Sequence, residues 1–321
     1  MSAPPIAEAP LLLQDLADAV STARVLDAAA EVGLIDSLAG GPKHTTELAG
    51  TCATDESMTT LLLDTLTDLG VVRRDASGRY ALAVDGLPLL TMAAAGWSQL
   101  AGVVRSGEPL AKADTAHGAA ILYPDLVPLL SALFTPAARR AAQLLAGSGV
   151  DVLDVGAGAA PWSIAVARYS PGVRVTALDL PAVIASTRRA VDAADLRDRF
   201  DYLPADMFTC RLPDAAYDVV LLANVCHLFD DAHNRALLQR LRPAVRPDGL
   251  LAIIDVLPSP DPAVQRSISL YALGLRLRTS RGAVHPLAAY QTWTSNAGFG
   301  PVQVERLAAA PPQYLLACRT R

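Results

Sequence analysis

Asp151-Val152-Leu153-Asp154-Val155-Gly156-Ala157-Gly158-Ala159-Ala160 decides the fold of this 321-residue chain. A short apolar run ends in two glycines, and Pro161-Trp162-Ser163-Ile164-Ala165-Val166 then opens a helix. Strand, glycine turn and helix together start a parallel sheet with a ligand at the carboxyl end of its strand. Gly156 lets the backbone turn tightly and come close to a ligand, and Gly158 does the same where the helix begins. The dinucleotide version of this turn has a third glycine where Pro161 stands, which argues against a pyrophosphate cradle.

Downstream the alternation continues: a strand over 173–180, a helix over 181–200, strands over 201–208 and 217–229, a helix over 232–244 and a strand over 249–258. Units of this length give an α/β, Rossmann-like domain whose mostly parallel sheet is covered on both faces. The last segments, 302–310 and 313–320, form a closing hairpin. Carboxylates follow the second and third strands. Asp179 can accept two hydrogen bonds from a ribose diol, or cap the helix after it. Asp206 can receive an adenine amine with Met207 and Phe208 against the ring; those two side chains are equally at home in a core.

Upstream, residues 11–39 read as helix, broken at Gly33. Thr45 or Thr46 caps a second helix, Asp55 caps a third, and Gly70 ends it. A hairpin turning at Asp75-Ala76-Ser77-Gly78 follows. Helices then hairpin make a mainly helical, winged-helix-like unit. Its third helix carries Glu56, Asp64 and Asp68 and no Lys or Arg, so dimerisation suits it better than a phosphate surface. Residues 88–145 read as Ala- and Leu-rich helix around a loop at 105–110. The expected domains are 1–100 for dimerisation, 101–145 for linker and pocket helices, and 146–321 for the α/β fold.

A net charge of −5 and a pI near 5.5 oppose a nucleic-acid partner. With 52% hydrophobic and only 18% charged residues, some surface should be covered by a second copy. Cys52, Cys210, Cys226 and Cys318 lie too far apart for a zinc or disulfide framework and read as free thiols of a cytoplasmic protein. The amino terminus lacks the basic start of a signal peptide. No charge-free run of eighteen apolar residues occurs, so no membrane span is expected.

Taken in order, Leu69-Gly70-Val71, Gly78-Arg79-Tyr80, Asp154 to Gly158, Asp179-Leu180-Pro181, Asp206-Met207-Phe208, Asn224-Val225-Cys226-His227 and Ala297-Gly298-Phe299 carry a likeness. From about residue 15 to the end, the chain resembles the plant caffeate-type and bacterial small-molecule O-methyltransferases. The resemblance implies a homodimer, a class I domain that binds S-adenosylmethionine (SAM), and a small natural-product acceptor. It implies that Gly156 and Gly158 contact the methionine end of SAM, Asp179 the ribose, and Asp206 with Met207 the adenine. Asp154, Leu180 and Asn224 complete the expected cofactor set. The family commonly has a glycine where Ala160 stands.

By the same resemblance His227, after the fourth strand, is the general base for the acceptor hydroxyl; otherwise it is a core histidine bonded to backbone. The family's acidic residue at the end of the fifth strand is Asp255 here, and the glutamate ahead of the final helix is Val284. Asp255, Asp230 and Asp231 all stand as candidates to orient His227. His285 opens a second reading: His227 and His285 as ligands of a metal ion that assists C-methylation of an α-keto acid, with Arg276 or Arg278 on its carboxylate. Trp97, Tyr123, Phe134 and Tyr271 are the aromatic candidates to line the acceptor pocket. A protein of another class, a SAM-sensing DNA-binding regulator, would need a basic patch on the third helix.

Overall fold

The computed structural model describes residues 9–84, 95–307 and 311–321. The chain divides into two compact units, Met1–Ala95 and Gly96–Arg321. The first break between units therefore falls at residue 95, and residues 88–94 lie outside the described residues.

The first unit holds helices Ala9–Glu31, Leu34–Ala39, Thr45–Cys52 and Glu56–Asp68, then a hairpin of β1 (Val72–Arg74) and β2 (Tyr80–Leu82). Gly33 (φ +79°) makes the break between the first two helices. Asp55 caps the fourth, its carboxylate accepting from the Met58 N–H at 2.8 Å. The third starts one residue earlier than the threonines suggest. Thr45 is already helical, His44 is the cap residue, and Glu47 reaches back to accept the His44 N–H at 2.8 Å. Leu34, Ile35, Leu38, Leu48, Leu63, Leu66 and Val72 bury around Tyr80. The Tyr80 hydroxyl donates to Asp64 at 2.7 Å, so one of the helix's acidic residues has an internal partner. Leu12, Leu13, Leu16, Val20, Met58 and Leu61 are exposed on this unit.

In the second unit seven described strands make one sheet: β3 (Asp151–Val155), β4 (Arg174–Asp179), β5 (Phe200–Pro204), β6 (Tyr217–Ala223), β7 (Val245–Val256), β8 (Gln303–Arg306) and β9 (Gln313–Arg319). Their order is β5-β4-β3-β6-β7-β9-β8, parallel except for the closing β8–β9 hairpin. Period-two alternation sends Val152, Val175, Ala177, Val219, Leu221 and Ile254 to one core. It sends Leu153, Val155, Leu178, Val220, Leu222 and Ile253 to the other. Strand order reverses at β3, which pairs with β4 on one side and β6 on the other. Open α/β sheets bind ligands outside such a switch point.

Helix Ala116–Leu144 packs Ala137, Ala138, Ala141 and Ala142 into the first core, beside helix Pro161–Tyr169. Phe134 stacks on Trp162 with centroids 5.8 Å apart, so it is a packing residue and not an acceptor platform. This 29-residue helix is long and apolar enough, by length and composition, to cross a membrane, although Asp125, Arg139 and Arg140 interrupt its apolar run. Its alanine face belongs to packing in this core, and Pro124, Pro128 and Pro136 lie within its length.

Candidate active site

Gly156 and Gly158 turn the chain out of β3 with φ of +70° and +58°. A Cβ on Gly156 would stand 2.7 Å from Val225 Cγ2, and one on Gly158 would stand 3.2 Å from Val127. Both positions thus require glycine for space as well as for backbone. Ala160 also sits in the left-handed region (φ +55°), where a glycine would be less strained. Its methyl is fully buried in the first core.

Asp154 is turned inward. Its carboxylate accepts from Ser163 Oγ at 2.5 Å and is almost completely buried, so it braces the glycine loop from below and does not face a ligand. Burial pushes its pKa up to about 7, against the downward pull of Ser163. The folded state therefore holds a proton that the unfolded chain releases near pH 4. The stability from that proton is complete below about pH 4 and is lost as pH rises to about 7, by at most about 1.4 kcal/mol per pH unit. Asp154→Asn should flatten the fall of Tm across this window. An unchanged slope in thermal melts at pH 4, 5, 6 and 7 would refute this account.

Asp179 ends β4 half-buried, accepting from the Gly158 N–H at 2.8 Å and the Leu180 N–H at 2.7 Å. Desolvation, the leading cause, pushes its pKa up to about 6. Each carboxylate oxygen keeps a second lone pair for a diol. Thr187 donates to Gly158 O at 2.6 Å and ties the following helix to the loop. Asp206 caps its own turn through the Phe208 N–H at 2.8 Å. Met207 reaches the Gly156 turn, whereas Phe208 packs edge-on to Phe229, centroids 5.0 Å apart, in the neighbouring core. Asn224 (φ +57°) has both atoms of its side-chain amide buried without a partner. Such an orphaned amide is costly unless a ligand meets it. Two glycines, one half-buried carboxylate and an orphaned amide around the β3–β4–β6 ends fit a nucleoside-bearing cofactor.

His227 follows β6 in a short turn of 3-10 helix and is buried. Asp255, at the end of the adjacent strand β7, is fully buried beneath it. Asp255 Oδ1 meets His227 Nδ1 at 2.5 Å, and Oδ2 accepts the His227 backbone N–H at 3.1 Å. The Val256 N–H completes the set at 2.9 Å. Asp255 thus takes the orienting position, although its chain is shorter than glutamate. Val284 packs as a hydrophobic residue against the same core. Its segment still grips the histidine turn through the backbone, with the Ala283 N–H donating to His227 O at 2.8 Å.

Asp231 is not brought to His227. It is exposed, accepting from Trp293 Nε1 and Arg235, because it opens the helix Asp231–Leu241 on its outer side. Asp230 likewise caps that helix and holds His233. The metal reading also fails on geometry. His285 is committed through Nε2 to Phe229 O at 2.9 Å, and no group of three His, Cys, Asp or Glu among the described residues is arranged around one point.

Tyr271, in helix Pro262–Arg278, sets its hydroxyl 3.2 Å from His227 Nε2 and 3.3 Å from Nδ1, with the two rings edge-to-face. Burial pushes both Tyr271 and Tyr123 upward, and the Arg278 guanidinium opposes the rise at each. Arg276 instead points out and donates to Ser280 O. Trp97 is exposed but lies against the same helix at Gly274, where a Cβ would stand 3.3 Å from its ring. Sequence reasoning missed Tyr290, fully buried, whose phenol is pushed well up by burial and by the nearby Asp255 carboxylate. It also missed Ser163; a hydroxyl one turn into the helix after a strand-end aspartate was the available signal.

A family model described as the O-methyltransferase domain matches residues 133–300, and one described as the O-methyltransferase dimerisation domain matches residues 14–84. The 3-hydroxy-5-methyl-1-naphthoate 3-O-methyltransferase of Streptomyces sahachiroi is 30% identical over 329 residues, covering 95% of this chain and 94% of that protein. Acetylserotonin O-methyltransferase of Rattus norvegicus is 28% identical over 322 residues, covering 92% of this chain and 74% of its own. Among solved structures, a mitomycin 7-O-methyltransferase matches with a TM-score of 0.74 at 25% identity over 98% of each chain. Human N-acetylserotonin methyltransferase in complex with SAM matches with a TM-score of 0.76 at 22% identity, over 100% of this chain and 99% of that one.

Proposed function

The chain belongs to the SAM-dependent O-methyltransferase family, and from that premise we propose that it methylates a hydroxyl oxygen of a small specialised metabolite with His227 as the general base. The observation that carries the base is the buried pair of His227 Nδ1 and Asp255 Oδ1 at 2.5 Å. With Nδ1–H given to the carboxylate, Nε2 keeps the free lone pair of the ring, and the Tyr271 hydroxyl lies 3.2 Å from Nε2 and 3.3 Å from Nδ1. An acceptor hydroxyl exchanges with the Tyr271 hydroxyl for Nε2 and gives up its proton there. When bound, SAM supplies an electrophilic methyl group on a positively charged sulfur. The protein's task is then chiefly alignment, with the acceptor oxygen held in line by fixed groups.

Gly156, Gly158, Asp179, Leu180, Asp206, Met207 and Asn224 make up the proposed cofactor cradle. The reading also takes the first unit as a homodimerisation surface, supported by its family match and by its exposed Leu12, Leu13, Leu16 and Val20. A cytoplasmic place of action fits its free thiols. A DNA-binding regulator gains no support, since the helix Glu56–Asp68 carries only acidic charge.

Calorimetric titration with SAM tests the cradle. Asp179→Ala should weaken SAM by about 10- to 150-fold, the loss of charged hydrogen bonds to a diol of about 1.5–3 kcal/mol. Because burial raises Asp179 to about 6, wild-type affinity should fall as pH drops through that value, and the variant should lose this dependence. Equal SAM affinity in both proteins at pH 7.5 would remove Asp179 from the site.

A further inference from the structure

Arg278 is the cation on the wall of this site that the mechanism leaves unused. It ends helix Pro262–Arg278, half-buried. Its guanidinium lies 5.7 Å from the Tyr271 ring centroid and within the field of Tyr123. Nη1 donates to Gly274 O at 3.0 Å. It takes part in none of the ion pairs among the described residues.

None of the aspartates around the site pairs with it among the described residues. Asp255 is closed over by His227 and Val256. Asp179 holds Gly158 and Leu180. Asp114 accepts from the Ser280 N–H at 2.9 Å through Oδ1, while its buried Oδ2 has no hydrogen-bond partner and stands 3.9 Å from Arg281. A guanidinium has five N–H donors in a planar fork that matches a carboxylate. One backbone carbonyl and two phenols leave part of that fork unfilled, in a setting where a lone charge is costly.

We propose that Arg278 is a specificity residue that binds a carboxylate on the acceptor, which makes the substrate class an aromatic hydroxy acid. This rests on the reading of His227 as the base. The Tyr271 ring runs from Arg278 at its face to His227 at its hydroxyl. Arg278 and His227 thus flank one and the same ring, which suits an acceptor that carries its hydroxyl and its acid on a single aromatic system. Tyr123, Tyr271 and Trp97 supply the aromatic surface. Methyl transfer from sulfur to the hydroxyl oxygen leaves the carboxylate untouched, so the anchor holds substrate and product alike.

The test uses the full chain loaded with S-adenosylhomocysteine, titrated with hydroxybenzoates and hydroxynaphthoates and with their methyl esters. Wild type should bind the best acid about ten- to a hundredfold more tightly than its ester. Arg278→Met should erase that preference, and Arg278→Lys should keep part of it. Arg276→Met removes the same charge from the same turn, where the side chain only meets Ser280 O, and should keep the whole preference. Affinity for S-adenosylhomocysteine, measured first on each variant, reports folding. Esters bound as well as acids by wild type, or a preference that survives in Arg278→Met, would overturn the assignment. Failure of wild type to bind S-adenosylhomocysteine would instead overturn the methyltransferase reading beneath it.

Discussion

Turnover by the His227→Ala enzyme should fall about 10²–10⁴-fold while SAM affinity stays within a fewfold of wild type. The size follows from the role: alignment by the cradle survives, and proton removal from the acceptor does not. The alanine variant also strips Asp255 of a partner at a fully buried site, so part of a loss could come from instability. His227→Gln addresses that. Its amide can still donate toward Asp255 but offers no basic nitrogen, and its turnover should fall equally. His285→Ala is the control, because His285 serves Phe229 O in packing. It should cost stability and less than about tenfold in turnover. The rates are read at saturating SAM with the hydroxy acid that binds best. Residual turnover within tenfold of wild type in both His227 variants would end the base assignment. Inactivation of wild type by a chelator, together with total loss in His285→Ala, would revive a metal.

The sheet was legible because β3, β6 and the second half of β7 are apolar runs buried on both faces, with helices between the strands. The cofactor loop was legible because Gly156 and Gly158 meet two independent demands, positive φ and missing Cβ space. What could not be read was direction. Asp154 and Asp179 both end strands before a helix, yet one turns under the loop onto Ser163 and the other stays at its rim. Asp230 and Asp231 are neighbours of His227 in the chain and Asp255 is remote from it, yet the adjacency of β6 and β7 selects Asp255. Arg276 and Arg278 differ by two residues, which on a helix is more than half a turn and exchanges solvent for Tyr271. Capping erred by one residue at His44, within the usual scatter of helix ends.

Asp255→Asn should be nearly as damaging as loss of His227 itself, about 10²–10⁴-fold in turnover, although it changes no volume. Three donors point at this carboxylate: His227 Nδ1–H and the Val256 N–H at Oδ1, and the His227 N–H at Oδ2. An asparagine amide has one oxygen to offer them. With its oxygen toward Nδ1, the NH₂ group confronts the His227 backbone N–H. With the amide turned over, the NH₂ group confronts Val256 and donates to Nδ1. The ring then carries its proton on Nε2, the nitrogen that must receive the acceptor's proton. Either arrangement leaves a buried donor unpaired, costing about 1–3 kcal/mol, so Tm should drop as well. The second also disables the base while His227 stays in place, and a merely structural role would not do this. Nitrogen-15 shifts of the His227 ring separate the cases. Wild type should show Nδ1 protonated and Nε2 free, and Asp255→Asn should show the reverse or a mixture. A variant that keeps the wild-type tautomer yet loses turnover would reduce Asp255 to a structural support. One that keeps both would free His227 from it altogether.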